Sequence, residues 1–399
     1  MTMAKAETEA AGSVGPGLRL VAVTGQDAVA WDALACRSPR GEVLQSYAWG
    51  AVKQASGWRA RRYRLEDAAG PIAVVSVQER DLASPVIRRL PRAMRGSELL
   101  TASVDRFLYA PFGPVLLREG RAPVDAALRA LRVIGRQRRA ALLVIDPSWE
   151  VDSPLAEALG DSRFTPSRRP IQVSTTGMLV PLEADEATQR QRLNENTRRN
   201  LERARKAGVE VVRFDAASPG PLLAPALDAA YDMLVETGQR KGFGSYLRPR
   251  EYHNAAQQAL IEAGSASLWF ARHDGRDVAH TLVHHCGARA LLYLGGEAEA
   301  TQGRVPANFL LQWSIMRWAA GAGFLMYDMG GVDNHASPGL PQDEGHPMWS
   351  LMRFKAQWGA RPTQFVGAWE YAPWPVLGAG LRAAWSTSDR LHQRRERGR

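Results

Sequence analysis

Cysteine is nearly absent from the chain: Cys36 and Cys286 are the two in 399 residues. Two thiols cannot build a framework of bridges, so a disulfide-stapled small scaffold is excluded and a reduced, cytosolic setting is expected. Neither cysteine has a neighbour at metal-ligand spacing. No run of about 18 apolar residues occurs, so no segment reads as a bilayer-spanning helix. The opening stretch MTMAKAETEAAGSVGPG places acidic residues where a signal peptide carries its apolar core, and residues 1–17 read as a flexible leader. Catalytic signatures are wanting too. A Walker A sequence, G-x-S-x-G, H-E-x-x-H and the Rossmann glycine fingerprint are all missing, which sets aside several common enzyme classes. His284 and His285 are adjacent on an expected strand and face opposite ways, so they cannot share a metal, and no metal is expected.

What is present is a globular composition, 45% hydrophobic and 23% charged. The length suits two domains of about 100–200 residues each. Lys and Arg total 51 against 41 Asp and Glu, leaving +10. That sign favours a polyanionic partner, with an inert basic surface as the plain alternative.

Strand and helix patterns alternate from Leu18. In the first half a strand LRLVAV leads to helices around Asp27–Cys36 and Tyr47–Ala55, then a hairpin turning at Glu66–Gly70. A basic loop follows (Arg88–Arg95), then the run FLYAPFGPVLL as a strand, a helix near Pro123–Arg138 and the apolar strand ALLVIDPSW. The second half repeats this order. Helices near Leu222–Gly238 and Pro249–Gly264 precede a hairpin turning at Asp274-Gly275, the strand RALLYLGGE, a helix near Pro306–Ala320 and the strand FLMYDMGG. TQFVGAWEYA reads as one more strand. Both closing strands end near an aspartate, Asp146 and Asp328. The fold class expected is α/β, a duplicated unit with mixed sheets flanked by helices.

Between the halves, Asp185–Gly208 reads as one arginine-rich polar helix. Arg192, Arg199, Arg203 and Lys206 fall on one stripe at about 100° per residue, which suits a phosphate backbone; Glu195 and Glu202 interrupt it, as a solvated face would. A helix–hairpin–strand–helix–strand unit used twice looks like tandem GNAT acyltransferase domains. Members using acetyl-CoA hold its pyrophosphate on a Q/R-x-x-G-x-G/A loop opening a helix. Here Gln302-Gly303-Arg304-Val305-Pro306-Ala307 has valine for the middle glycine and a proline that removes an N–H donor, so acetyl-CoA is not expected.

Eight phrases in series resemble the Fem family (FemABX) of nonribosomal aminoacyltransferases. They are LQSYAWGAVKQASGW, FLYAPFGPVL, LLVIDPSW, TRRNLERARKAGVEV, YDMLVETGQRKGFG, LLYLGGEA, PANFLLQWSIMRWAAGAGFLMYDMGGV and RFKAQWGARPTQFVGAWEY, spread from about Leu18 to Tyr371. VEVVRFD follows the arginine-rich helix directly, so the chain is similar to compact members without the coiled-coil arm.

The resemblance implies two GNAT-like domains that move Gly, Ala or Ser from aminoacyl-tRNA to the side-chain amine of the third stem-peptide residue of a peptidoglycan precursor, UDP-MurNAc-pentapeptide or lipid II. Aminoacyl-tRNA is then the co-substrate, with no metal or acetyl-CoA cofactor, and the protein a cytoplasmic monomer with a peripheral place at the membrane. The domains implied are 18–167 plus 354–371 for the precursor, 168–353 for the second unit, and 372–399 as an amphipathic basic tail that either lies on a bilayer or packs on the first domain. Residue by residue, Lys53 and Arg240 match cations on the precursor's diphosphate. Asp146 matches an acceptor-cleft aspartate that orients the stem peptide or takes its proton; a strand-end cap is the plainer reading. Phe354-Lys355 matches the donor-site pair, Lys355 facing the developing oxyanion. Tyr293 stands within Leu292-Tyr293-Leu294-Gly295, where the family often has Y-x-Y-G. Arg192, Arg199, Arg203 and Lys206 are the tRNA contacts. Two other readings fit the residues: a GNAT-like enzyme using another activated acyl donor on an envelope or polysaccharide precursor, and a nonenzymatic RNA-binding protein.

Overall fold

Each sheet is built from hairpins whose turns the sequence marks. The computed structural model describes residues 8–24, 27–36, 38–82, 106–167, 171–218, 220–242, 244, 247–298 and 305–383. The chain divides into unit 1 (Met1–Leu34, Lys53–Gln172 and Val366–Arg399) and unit 2 (Ala35–Val52 and Val173–Phe365). The basic loop Arg88–Arg95, residues 302–304 of the altered glycine loop, and the tail beyond residue 383 lie outside the described residues.

Unit 1 carries β1 (Thr8–Gly15), β2 (Leu18–Val23), β3 (Arg59–Asp67), β4 (Gly70–Asp81), β5 (Arg106–Ala110), β6 (Val115–Leu116), β7 (Ala140–Ile145) and β8 (Thr165–Pro166). Unit 2 carries β9 (Thr176–Pro181), β10 (Glu210–Phe214), β11 (Ala266–His273), β12 (Arg276–Cys286), β13 (Arg289–Glu297), β14 (Met326–Gly331) and β15 (Arg361–Gln364), and β16 (Trp369–Tyr371) returns to unit 1. The unit 1 sheet runs β1-β2-β3-β4-β5-β7-β16-β8, with β6 on β4; the unit 2 sheet runs β10-β11-β12-β13-β14-β9-β15. Each has one parallel pair, β5 with β7 and β13 with β14, joined by the helices Arg121–Gln137 and Ala307–Gly321. A parallel pair needs such a crossover, and every residue of β7 (AALLVI) is buried, as expected of a strand covered on both faces.

The helix Arg121–Gln137 forms because Val124, Leu128, Leu131 and Ile134 recur at helical spacing and bury one face against Leu20, Tyr63 and Val75. Burying each such side chain stabilises the unit by roughly 1.5–3 kcal/mol. The β11–β12 hairpin turns on Asp274 and Gly275, at φ 51° and 72°, the left-handed pair a two-residue turn requires.

Six expectations are corrected. The supposed leader contributes β1, whose Thr8–Gly15 pairs antiparallel with β2. FLYAPFGPVLL is two strands, because the turn after Ala110 places Phe112 at φ 52° and ends the ladder. The arginine-rich segment is two helices, Glu186–Gln191 and Glu195–Lys206, since Asn194 caps the second by accepting from Thr197 N at 2.7 Å. TQFVGAWEYA divides at Gly367 (φ 68°): β15 pairs with β9 in unit 2 and β16 with β7 in unit 1. The return to unit 1 therefore comes at Val366, and Phe354 stays in unit 2. Finally, Cys36 and Cys286 are joined as a disulfide across 250 residues, both within unit 2, in place of the reduced pair expected.

Candidate active site

In unit 2, β13 and β14 pair through Arg289↔Met326, Ala290↔Tyr327 and Leu291↔Asp328, and then part. Their fork is the centre of the candidate site. The ammonium of Lys355, on the helix Trp349–Ala356, donates to Gly331 O at 2.7 Å, at the end of β14. Lys355 is buried (6% exposed), and that burial lowers its pKa to about 8, against the opposing pull of the Asp328 carboxylate. The strand end is held tightly. Asp328 accepts from Gly330 N at 2.8 Å and from Arg289 Nη1 at 3.1 Å, and Arg289 Nη2 bonds Glu42. Asp333 accepts from Ser174 Oγ, from Thr175 N and Oγ1 at 3.1 and 3.0 Å, and from Thr176 N at 3.0 Å. A Cβ on Gly331 would collide with Ser174, so glycine is required where that loop crosses the strand end.

A pocket of about 270 Å³ in the same unit is walled by Asn200, Arg203, Glu297, Asn308, Phe309 and Phe354, the residue before Lys355. Phe354 packs edge-on to Phe309, ring centroids 6.0 Å apart. Asn308 and Phe309 belong to the first turn of Ala307–Gly321, where Ala307 N donates to Val305 O at 2.8 Å and Phe309 N to Pro306 O at 3.1 Å. Pro306 precedes that turn without an N–H of its own. Arg203 Nη1 donates to Asn200 Oδ1 at 3.1 Å in the pocket wall. Arg240, at the end of the helix Gly220–Lys241, donates from Nη2 to Glu297 O at 2.9 Å. Its Nε and Nη1 are buried with no partner among the described residues, two donors suited to an anion.

Tyr293 is the extra residue of a β-bulge, where the register jumps from Leu282↔Leu294 to Val283↔Leu292. Its ring stacks on His284 at 4.1 Å. His284 bonds Gln257 at 2.8 Å, while His285 meets Trp318 and Phe324 on the other side of the strand. Of the tRNA candidates, Arg203 alone lies in the pocket wall. Arg192, at the end of Glu186–Gln191, pairs with Glu183, and Arg199 with Glu195 at 3.6 Å. Lys206 is exposed, on the stripe it shares with Arg199 and Arg203 opposite the buried Thr197, Leu201 and Ala204.

The remaining candidates belong to unit 1. Lys53 Nζ lies 5.7 Å from the Trp58 ring centroid, and the Arg80 guanidinium 5.6 Å from the same ring. Trp58 meets Phe107 edge-on, two residues before Tyr109 on β5. Asp146 is buried and accepts from Tyr109 OH at 2.6 Å and Phe112 N at 2.8 Å. Burial and that carboxylate push the Tyr109 phenol well above its ordinary value. Each of its oxygens accepts one of these bonds, so Asp146 anchors the loop after β5.

Sequence reasoning placed Asp328 at a strand end without a role, and missed Arg289, Glu42, Asn308 and Asp333. The matching positions of Asp146 and Asp328 were the available signal for Asp328.

Residues 191–337 match the model of an acetyltransferase (GNAT) domain. The lipid II:glycine glycyltransferase of Staphylococcus saprophyticus is 22% identical over 422 residues, 88% of this chain and 92% of that protein. Its namesake in Staphylococcus aureus is 22% identical over 85% of this chain and 90% of its own length. Among solved structures, FemX superposes with a TM-score of 0.70 at 19% identity, covering 88% of this chain and 96% of that one. Along most of its length the chain is similar in sequence to these glycyltransferases and in fold to FemX, and residues 191–337 carry the pattern of a GNAT-type domain.

Proposed function

We propose that the protein is an aminoacyltransferase that carries glycine, or another small amino acid, from aminoacyl-tRNA to the side-chain amine of the third stem residue of a peptidoglycan precursor. The relatives' name, lipid II:glycine glycyltransferase, favours glycine and a lipid-linked acceptor. The observation that carries the reading is the buried Lys355 ammonium at the β13–β14 fork, next in sequence to the pocket residue Phe354.

The chemistry is acyl transfer without an external cofactor. The neutral acceptor amine attacks the ester carbonyl of the donor, forming a C–N bond and an oxyanion. Collapse of that intermediate breaks the bond to the ribose oxygen, which leaves with a proton, while the amine nitrogen loses one. Lys355 holds positive charge beside the oxyanion, and Arg203 with Asn308 of the pocket wall holds the terminal phosphate of the tRNA. Arg240, through its two unpartnered donors, takes a phosphate of the precursor. A charge fixed before the reaction lowers the barrier more than one that must reorient, and the Gly331 contact holds Lys355 in place.

The test supplies glycyl-, alanyl- and seryl-tRNA with lipid-linked and UDP-linked precursors and weighs the products. A precursor heavier by one glycyl residue on the third stem amine supports the proposal. Acetylation from acetyl-CoA, or tRNA binding with no product, contradicts it.

A further inference from the structure

The unit 2 pocket carries two opposite charges that do not meet. Glu297 and Arg203 both stand in its wall, and among the described residues neither has an ion pair. Register fixes where the Glu297 carboxylate goes. Glu297 closes β13 and pairs with Ala279 of β12, and cross-strand partners share a face of the sheet. Ala279 packs into the buried cluster that holds Ala307 and Leu311, so this face looks onto the helix Ala307–Gly321. The preceding residue looks the other way. A Cβ on Gly296 would meet His280 Cε1 and Met233 O, each at 2.8 Å, on the side of the helix Gly220–Lys241.

The main chain of Glu297 is fixed independently of its side chain. Its N–H donates to Thr237 Oγ1 at 3.0 Å, and its carbonyl accepts from Arg240 Nη2 at 2.9 Å. The half-buried carboxylate has no hydrogen bond among the described residues. Arg203 bonds a neutral acceptor, Asn200 Oδ1. Around these two charges the wall is apolar (Val278, Val305, Phe309, Phe354) or neutral amide. A carboxylate in such a wall gains from a cation and loses from a neutral group that strips its water without replacing the bonds. A guanidinium there takes an anion. The ligand that satisfies both carries an ammonium and a phosphate. An aminoacyl ester of a nucleotide has this pair, the α-ammonium on the amino acid and the phosphate on the nucleotide; an acetyl thioester has no cation.

We infer that Glu297 binds the α-ammonium of the donor's amino acid and makes the pocket selective for a free aminoacyl group over neutral acyl groups of the same size. This rests on the proposed function for the kind of donor, and goes past it in assigning the group that reads the amine. Glu297 is a specificity residue: it holds the end of the donor that does not react.

The experiment is calorimetry on the full chain with two amides of 3′-amino-3′-deoxyadenosine 5′-phosphate. One carries glycine; the other carries glycolic acid, which puts a hydroxyl where the ammonium stood at the same size. No acceptor is present and neither amide can be transferred, so the result is independent of turnover. The native chain is expected to bind the glycyl amide about 10–100-fold more tightly. Glu297→Gln, almost unchanged in shape, should bring the two amides to about the same affinity, and Glu297→Asp should keep part of the preference. Arg203→Gln should weaken both amides alike and keep the preference. Equal binding of the two amides by the native chain, or a preference that survives Glu297→Gln, overturns the inference and leaves the pocket standing as a nucleotide site. Binding of neither amide overturns the donor pocket itself, and the inference with it.

Discussion

Replacing Lys355 by methionine keeps the length of the side chain and removes its charge, so it separates the ammonium from the packing around it. Removal of one donor to a developing oxyanion lowers turnover by about 10²–10³-fold, and that loss is expected of Lys355→Met. The native enzyme offers an internal control. With a pKa of about 8, Lys355 is roughly nine-tenths charged at pH 7 and one-tenth at pH 9. The acceptor amine reacts only when neutral, so its limb rises with pH while the Lys355 limb falls. Divided by the neutral fraction of the acceptor amine, the transfer rate should therefore fall about tenfold between its low-pH value and pH 9. Lys355→Met should lose the falling limb altogether.

Stability gives the complementary sign. The folded pKa lies below the unfolded one, so the unfolded chain binds more protons between about pH 8 and 10.5 and stability rises with pH across that window. The shift corresponds to about 3 kcal/mol, present as a cost below pH 8. Urea unfolding should find Lys355→Met no less stable than the native chain at pH 7. The assay is single-turnover transfer from glycyl-tRNA, corrected for spontaneous ester hydrolysis. A Lys355→Met variant that keeps a rate within threefold of native, or the same falling limb, refutes the reasoning.

Three further outcomes follow from the geometry. Asp328→Asn removes the carboxylate that favours a charged Lys355 and leaves Arg289 less balanced; the falling limb should move to lower pH, with a stability loss of about 3–5 kcal/mol read by urea unfolding. Asp146→Ala frees Tyr109 OH and Phe112 N and should cost about 3 kcal/mol, yet Asp146→Asn, once folded, should transfer within several-fold of native; a thousandfold loss there would make Asp146 a proton acceptor after all. Replacing Cys36 and Cys286 by serine should lower stability by about 2–5 kcal/mol under oxidising conditions, with native and variant converging once reductant is added.

Much of the fold is written in local pattern. The helix Arg121–Gln137 follows from apolar spacing, and the β11–β12 hairpin from Asp274-Gly275. What local pattern does not carry is the effect of distant residues. The run after Arg106 is apolar throughout, and it breaks because Asp146, from another strand, takes Phe112 N. TQFVGAWEYA has the composition of one strand, but its halves find partners in β9 and β7. Asn194 is a capping residue type set inside a continuous run of polar helix formers, so the break it makes is easily read through. In the site, Phe354 and Lys355 are neighbours in sequence, and the resemblance singles them out as a pair. The Glu42–Arg289–Asp328 chain joins residues 247 and 39 positions apart, and the Cys36–Cys286 bond spans 250, so neither leaves a local trace.

The central claim is that the donor's aminoacyl end occupies the unit 2 pocket with its carbonyl turned to Lys355. A crystal structure with a 3′-amide analogue of glycyl-adenosine phosphate, which cannot be cleaved, tests it most directly. The expected result is the phosphate against Arg203 and Asn308, with the carbonyl oxygen within hydrogen-bond reach of Lys355 Nζ. An analogue bound elsewhere, or seated in the pocket with its carbonyl turned away from Lys355, would contradict it.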